Sequence, residues 1–310
     1  LISEQSTPGN LVTDNKQPRA GVAYGAAAFL WWGFAPFYFK AVGAAAPQEV
    51  LAHRIIWSCL FLLGLLGVRG RFGEFRRLLA DRRTLGILSV TTLLIAGNWL
   101  LFIWAIANQR LLEASLGYFI NPLVNVLLGF VVFRERLTRL QTGAVALAAA
   151  GVAWLALGGV GVPLISLALA FSFSIYGMLR KRTPVSGTVG LTAETMLLWP
   201  WAVAWLILRQ TRGELAFWNE GPVLTILLVS AGWITALPLI WFAEGARRIR
   251  YATLGFLQYL APTFQFLVAV LAFGEPFTPK HAISFGCIWI ALGLYSLETV
   301  RQMRLRKPSK

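Results

Sequence analysis

Residues 113–138 read EASLGYFINPLVNVLLGFVVFRERLT. The apolar part is long enough to cross a bilayer as a helix, about 20 residues at 1.5 Å each. It does not alternate in polarity, as a strand of a membrane barrel would. Yet Glu113, Gly117, Asn121, Asn125 and Gly129 recur every fourth position, with Tyr118 beside them. At 100° per residue they form a slowly rotating stripe on one side of the helix. Two readings stay open: small and amide residues can pack helices together, or the stripe lines a solute cavity, since amides facing lipid are costly.

The whole chain repeats this pattern. Its 310 residues are 57% hydrophobic and 13% charged, with mean hydropathy +0.65, against about a quarter charged in soluble domains. Polar clusters separate ten apolar runs: 20–43, 48–68, 84–107, 111–133, 138–158, 162–180, 189–208, 222–243, 251–273 and 279–298. The expected fold class is an all-α integral membrane protein of ten transmembrane helices. Cys59 and Cys287 both lie within runs, as packing residues and not a disulfide framework. Residues 1–19 are polar, lack the apolar core of a cleavable signal and read as a disordered tail.

The net charge of +15 follows the same topology. With the N-terminus inside and ten spans, 22 of the 28 Lys and Arg fall on the inner side. Five (Lys40, Arg110, Arg209, Arg212 and Lys280) fall outside, and Arg54 lies within a span. This is the positive-inside bias. It places both termini in the cytoplasm, makes membrane lipid the partner of the basic loops and leaves no role for nucleic acid.

An internal repeat runs through the chain. FINPLVNVLLGFVVFRERLT from Phe119 aligns without gaps to YLAPTFQFLVAVLAFGEPFT from Tyr259, an offset of 140 residues. Pro122 meets Pro262, Asn125 meets Gln265 and Glu135 meets Glu275. Two halves of five helices, 20–158 and 161–298, follow, with a basic cytoplasmic tail at 299–310. Because five is odd, the second half enters the membrane inverted. Inverted repeats are an architecture of alternating-access carriers.

AHRIIWS (52–58), GNWLLFIWAIAN (97–108), EASLGYFINPLVNVLLG (113–129) and TLGFLQYLAPT (253–263) closely resemble the RarD group in the EamA branch of the drug/metabolite transporter superfamily. The resemblance runs from about Gly21 to Glu298. It implies a ten-helix carrier of the bacterial inner membrane with two inverted halves, export in preference to import, and a permease linked to chloramphenicol sensitivity.

Candidate site residues follow from polar chemistry at depth. Gln258, Pro262 and Gln265 form a stripe matching that of Asn121 and Asn125. Pro122 and Pro262, at related depths, each remove a backbone hydrogen bond and act as hinges. Trp32, Asn98, Trp99, Tyr118, Tyr176 and Tyr259 are expected to line the cavity, where aromatic walls suit a flat or partly apolar solute. Trp31, Tyr38 and Trp104 belong to the same aromatic set. The charged intramembrane residues are Glu49, His53, Arg54, Glu113 and Glu194. Glu113 reads either as a wetted carboxylate at a helix end or as a proton or cation site. Arg54 is expected to face the interior or pair with Glu49 or Glu113; ion pairing between helices and contact with solute stay open. His53 reads as a packing residue. Glu194 is the rough counterpart of Glu49, and Glu244 pairs locally with Arg247 or Arg248.

Structural signals fill the rest. TRLQ at 138–141 reads as a capping box and Thr278-Pro279 as a helix start. RGRFGEFRRLLADRR at 69–83 places Phe72, Phe75, Leu78 and Leu79 at helical spacing, as a segment lying on the inner leaflet. Catalysis is not expected: the only Asp residues, Asp14 and Asp81, lie in the tail and a loop, and no HExxH, GxSxG, paired-Cys or Walker spacing occurs. No cofactor or metal is expected. The reading is therefore a secondary-type transporter of a small organic metabolite or drug by alternating access. A channel or a small-molecule receptor is the alternative, and the sequence assigns no oligomeric state.

Overall fold

The computed structural model describes residues 16–133, 137–157, 163–181, 183–248 and 257–305, all helices and short connections. The tail up to residue 15, the join at Gly158–Gly161, Glu135, the start of the ninth run, the surroundings of Gly129 and the side chains of Glu244 and Arg247 lie outside the described residues.

Eleven helices are present among them: α1 (Lys16–Ala41), α2 (Pro47–Val68), α3 (Phe72–Ala80), α4 (Arg82–Ala107), α5 (Leu111–Phe133), α6 (Arg139–Leu157), α7 (Leu164–Lys181), α8 (Gly187–Thr211), α9 (Pro222–Arg248), α10 (Leu260–Leu267) and α11 (Pro279–Leu305). Ten fall on the ten apolar runs, and α3 is the segment at 69–83. By length and composition α2, α4, α5, α8, α9 and α11 can each cross a membrane, which makes this a multi-pass membrane protein.

Helix starts are set by local chemistry. Asp81 accepts the N–H groups of Arg83 and Thr84, at 3.1 and 3.2 Å, and caps α4. The same bonds, with that of the Thr84 hydroxyl, hold its carboxyl below the usual range. Thr138 and Gln141 exchange the reciprocal bonds of a capping box at the start of α6, at 3.0 and 3.2 Å. At α11 the His281 Nδ1 accepts the Thr278 N–H at 3.2 Å.

Three expectations change. Phe75 and Leu78 of α3 are buried against Leu66, Leu88, Val189 and Ala193, while Phe72 and Leu79 stay exposed. Half of the apolar face of α3 is therefore covered by protein, because α3 packs on α4 and α8. The ninth run is not one continuous helix: a turn at Gln258–Tyr259 precedes α10, which passes into a π-helical segment at Val268–Ala272. The two prolines consequently differ. Pro262 sits in the first turn of α10, where a missing N–H costs little, whereas α5 runs unbroken through Pro122.

The principal packing pairs are α1 with α9 and α10, α2 with α4, α8 and α9, α4 with α7 and α8, α5 with α7 and α10, α6 with α11 and, more weakly, α8 with α9. Exchange α1 with α7, α2 with α8, α4 with α9, α5 with α10 and α6 with α11, and the set maps onto itself. Glycine permits two of these approaches. A Cβ on Gly117 would lie 2.6 Å from the Ser166 carbonyl oxygen, and one on Gly232 would lie 2.6 Å from the Trp57 backbone. The Ser166 hydroxyl donates to the Glu113 carbonyl at 2.6 Å, binding α7 to the first turn of α5.

Candidate solute site

Glu49, His53 and Arg54 occupy the first two turns of α2, and the structure sends them to three different places. Glu49, 1% exposed, accepts the N–H groups of Ala216 and Phe217 at 3.1 and 2.8 Å, in the α8–α9 connection. Through its Nδ1, His53 accepts the Trp57 indole N–H at 3.2 Å, and its ring lies 4.3 Å from that of Phe217. Only Arg54 turns toward the aromatic interior.

The Arg54 guanidinium lies 4.0 Å from the Trp99 ring centroid and 5.6 Å from that of Phe39. The Tyr38 and Tyr118 phenols are close enough to interact with it electrostatically. Its Nε is sealed from solvent and has no hydrogen-bond partner. The expected pairing with Glu49 or Glu113 does not form. Glu49 is engaged by backbone, and Glu113 pairs with Arg110 on the same helix turn at 2.6 Å. A guanidinium at this depth without a counter-charge is costly. Stacking on Trp99 offsets part of that cost.

Hydrogen bonds fix the surrounding walls. Tyr118 donates to the Asn98 Oδ1 at 3.4 Å. The Asn98 amide donates to the Leu169 carbonyl at 3.1 Å and the Ser172 hydroxyl at 2.9 Å. Tyr38 donates to the Leu227 carbonyl at 3.0 Å. Six helices (α1, α2, α4, α5, α7 and α9) thus converge around Arg54. Of the expected cavity residues, Asn98, Trp99 and Tyr118 are brought together here.

A second buried polar cluster lies between α4, α7 and α8. Glu194, 1% exposed, accepts the Thr91 hydroxyl at 2.7 Å and the Tyr176 hydroxyl at 3.2 Å. Arg180 Nε stands 3.6 Å from the same carboxylate. Gly190 makes room for that guanidinium, since a Cβ there would lie 2.1 Å from an Arg180 Nη. Unlike Arg54, this charge carries its own counter-ion.

The stripe that began with Glu113 divides beyond Gly117. Asn121 is buried and its side chain accepts the Ser174 hydroxyl, a packing bond between α5 and α7. Asn125 is exposed. Because α5 leans on α7 through Gly117 and Asn121, one helical face meets two environments. Gln265 is buried and donates to the Trp32 carbonyl at 3.1 Å, tying α10 to α1. The half-buried Trp32 ring packs on Phe29 and Phe242. Gln258 and Tyr259 are half-buried at the turn before α10.

Several contributors were not singled out from the sequence. Phe39, Thr91 and Ser172 read as ordinary residues of apolar runs. Glu275 was visible only as the repeat partner of Glu135, and the structure seats its carboxylate on the first two N–H groups of α5.

The model of the EamA-like transporter family matches residues 19–157. Protein RarD of Salmonella typhi is 41% identical over 291 residues, covering 94% of this chain and 99% of that protein. An uncharacterized transporter of Vibrio cholerae is 43% identical over 292 residues, covering 94% of this chain and 96% of the relative. A solved crystal structure, 21% identical, covers 92% of this chain and 99% of its own with a TM-score of 0.58, a likeness of fold alone. With such identity across nearly the full length of its relatives, the chain belongs to the RarD group of the EamA-like transporter family.

Proposed function

We propose that this transporter is a secondary carrier moving a small organic solute across a bacterial inner membrane by alternating access. Its halves are the inverted repeats 20–158 and 161–298, with both termini cytoplasmic. The observation that carries the reading is the set of packing pairs, which maps onto itself when the halves are exchanged. Such a set suits an arrangement in which either half can take the other's place around a central site. The match of the family model to residues 19–157, one half alone, agrees with it. Solute binds around Arg54, Trp99, Asn98 and Tyr118, and export is the direction that the family resemblance favours.

On this reading the end of the bundle that carries Glu49 and Glu275 is the outer one, and their contacts hold it shut. Glu49 of the first half clamps the Ala216–Phe217 backbone of the second, and Glu275 of the second clamps Leu111–Leu112 of the first. Alternating access requires these clamps to release when the inner end closes.

Single cysteines at Phe217 and Asn125, in a chain carrying Cys59→Ala and Cys287→Ala, test this with a membrane-impermeant maleimide. Labelling is expected at Asn125 from the inner face, with Phe217 protected. Adding Glu49→Gln and Glu275→Gln is expected to expose Phe217 and protect Asn125 together. Independent changes at the two positions would leave a channel or a receptor as the better reading.

A further inference from the structure

Arg54 identifies the chemistry of the solute, an inference that rests on the carrier reading above. The other buried carboxylates among the described residues are committed elsewhere. Glu49 and Glu275 hold backbone N–H pairs, Glu194 holds Thr91, Tyr176 and Arg180, and Glu298 lies against Arg301. Glu113 pairs with Arg110 through its Oε1, while its Oε2 is sealed and unbonded. Among the described residues with a sealed, unbonded guanidinium nitrogen, Arg180 and Arg209 each have an acid beside them and Arg54 has none.

The repeat sharpens the contrast. Glu194, read from the sequence as the rough counterpart of Glu49, stands 140 residues after Arg54 instead, the same offset that aligns Phe119 with Tyr259. Each is the eighth residue of its helix, counted from Pro47 in α2 and from Gly187 in α8. The two related positions therefore carry opposite charges, and only the acid has a counter-ion on its own half. A purely structural cation at this depth would be expected to have acquired one, since an uncompensated charge is expensive. Stacking on Trp99 leaves the planar N–H fork as the polar group to be satisfied. That fork matches a carboxylate in two parallel hydrogen bonds. The Trp99 and Phe39 rings border the guanidinium and make the surroundings of its fork apolar, which suits the apolar part of a small molecule.

We infer that the solute is a small organic anion whose carboxylate pairs with the Arg54 guanidinium while its apolar part lies against Trp99 and Phe39. Empty, the site holds an uncompensated charge; loaded, it is neutral. Binding thus supplies the counter-ion that the fold withholds.

The test uses the purified full chain in an uncharged detergent and follows thermal unfolding. Three probes share one ring and differ in charge: phenylacetate, phenylacetamide and phenethylammonium. Dihexanoyl phosphatidylglycerol forms a fourth arm, for an anionic lipid headgroup. Phenylacetate at millimolar concentration is expected to raise the melting temperature by a few degrees, and the other two ring probes much less. Arg54→Gln should abolish the shift while raising the unliganded melting temperature, and Arg54→Lys should keep a reduced shift. Trp99→Leu, which leaves the charge in place, should weaken the response if Arg54→Gln does not fold. Equal responses to all three ring probes, an undiminished response in Arg54→Gln, a response to the lipid alone, or no response to phenylacetate would each overturn the inference. Counterflow in reconstituted vesicles separates it from the carrier reading. Phenylacetate binding through Arg54 without saturable exchange would overturn the carrier and leave the anion site. Saturable exchange of the neutral probe by Arg54→Gln would do the reverse.

Discussion

The carboxylate of Glu275 accepts the backbone N–H of Leu111 at 2.7 Å, across 164 residues of chain, and that of Leu112 at the same distance. These N–H groups open α5 and have no partner within the helix, and the helix dipole favours an anion there. The Glu49 carboxylate likewise holds two successive N–H groups, those of Ala216 and Phe217, but in the α8–α9 connection and not at a helix start.

The Glu275 contact has a pH signature. Burial pushes its carboxyl above the usual range, the two N–H groups and Lys40 pull it back, and Glu113 pushes in the same direction as burial. The folded protein therefore holds a proton on Glu275 at a pH where the unfolded chain has released it. Stability is fully present below the ordinary carboxylate pKa and falls as pH rises through the raised value. Melting curves recorded across the acid range should show that fall in the wild type. Glu275→Gln, which cannot titrate, should lack this component.

Removing the Glu49 carboxylate strands two buried donors. Glu49→Ala should cost about 2–6 kcal/mol, the sum for two unsatisfied N–H groups. Glu49→Gln, which keeps one acceptor, should cost less. Denaturant unfolding of both variants, with amide exchange at Ala216 and Phe217, checks the order.

The approach of α5 to α7 leaves no room for a side chain at Gly117. Gly117→Ala places a methyl 2.6 Å from the Ser166 carbonyl oxygen, which is backbone and cannot rotate away. A loss of about 1–3 kcal/mol is expected. Gly143→Ala meets open space and is the matched control, which should leave the melting temperature unchanged or slightly raised.

The Glu194 cluster should respond to its donors in order of hydrogen-bond length. Thr91→Val removes the 2.7 Å bond and should cost about 1–3 kcal/mol, more than Tyr176→Phe with its 3.2 Å bond. Gly190→Ala should displace Arg180 and behave like Arg180→Gln. A double-mutant cycle between positions 190 and 180 then gives a large coupling, and additive losses would contradict it.

The helices themselves were legible in the chain. A bilayer demands about 20 apolar residues per crossing, so ten runs mark ten helices to within a few residues. Thr138-Gln141 and Thr278-Pro279 mark starts that the structure places there. The ninth run was the exception. Gln258–Tyr259 turn before Pro262, and a hydropathy count is blind to a break that keeps the segment apolar.

Site chemistry was legible only in part. Asn98, Trp99, Tyr118 and Arg54 stood out as polar or aromatic groups at depth. Which of them meet was not, because the sequence left Arg54 facing the interior or pairing with Glu49 or Glu113. Glu113 and Glu49 looked like partners for it by sequence distance and depth. Neither is, since each found a better partner: Arg110 in the same helix turn for one, two backbone donors 167 and 168 residues away for the other.

The amino-acid sequence by itself determined the solvent of this protein and its helices, because hydropathy and capping act over a few residues of chain. The tertiary structure alone decided that Asn121 packs while Asn125 stays open, that Glu194 is neutralised and that Arg54 is not. Those outcomes depend on which faces of α2, α4, α5, α7 and α8 come together. A buried charge is satisfied by whatever side chain or backbone group lies within about 3 Å in space, however far away it lies along the chain.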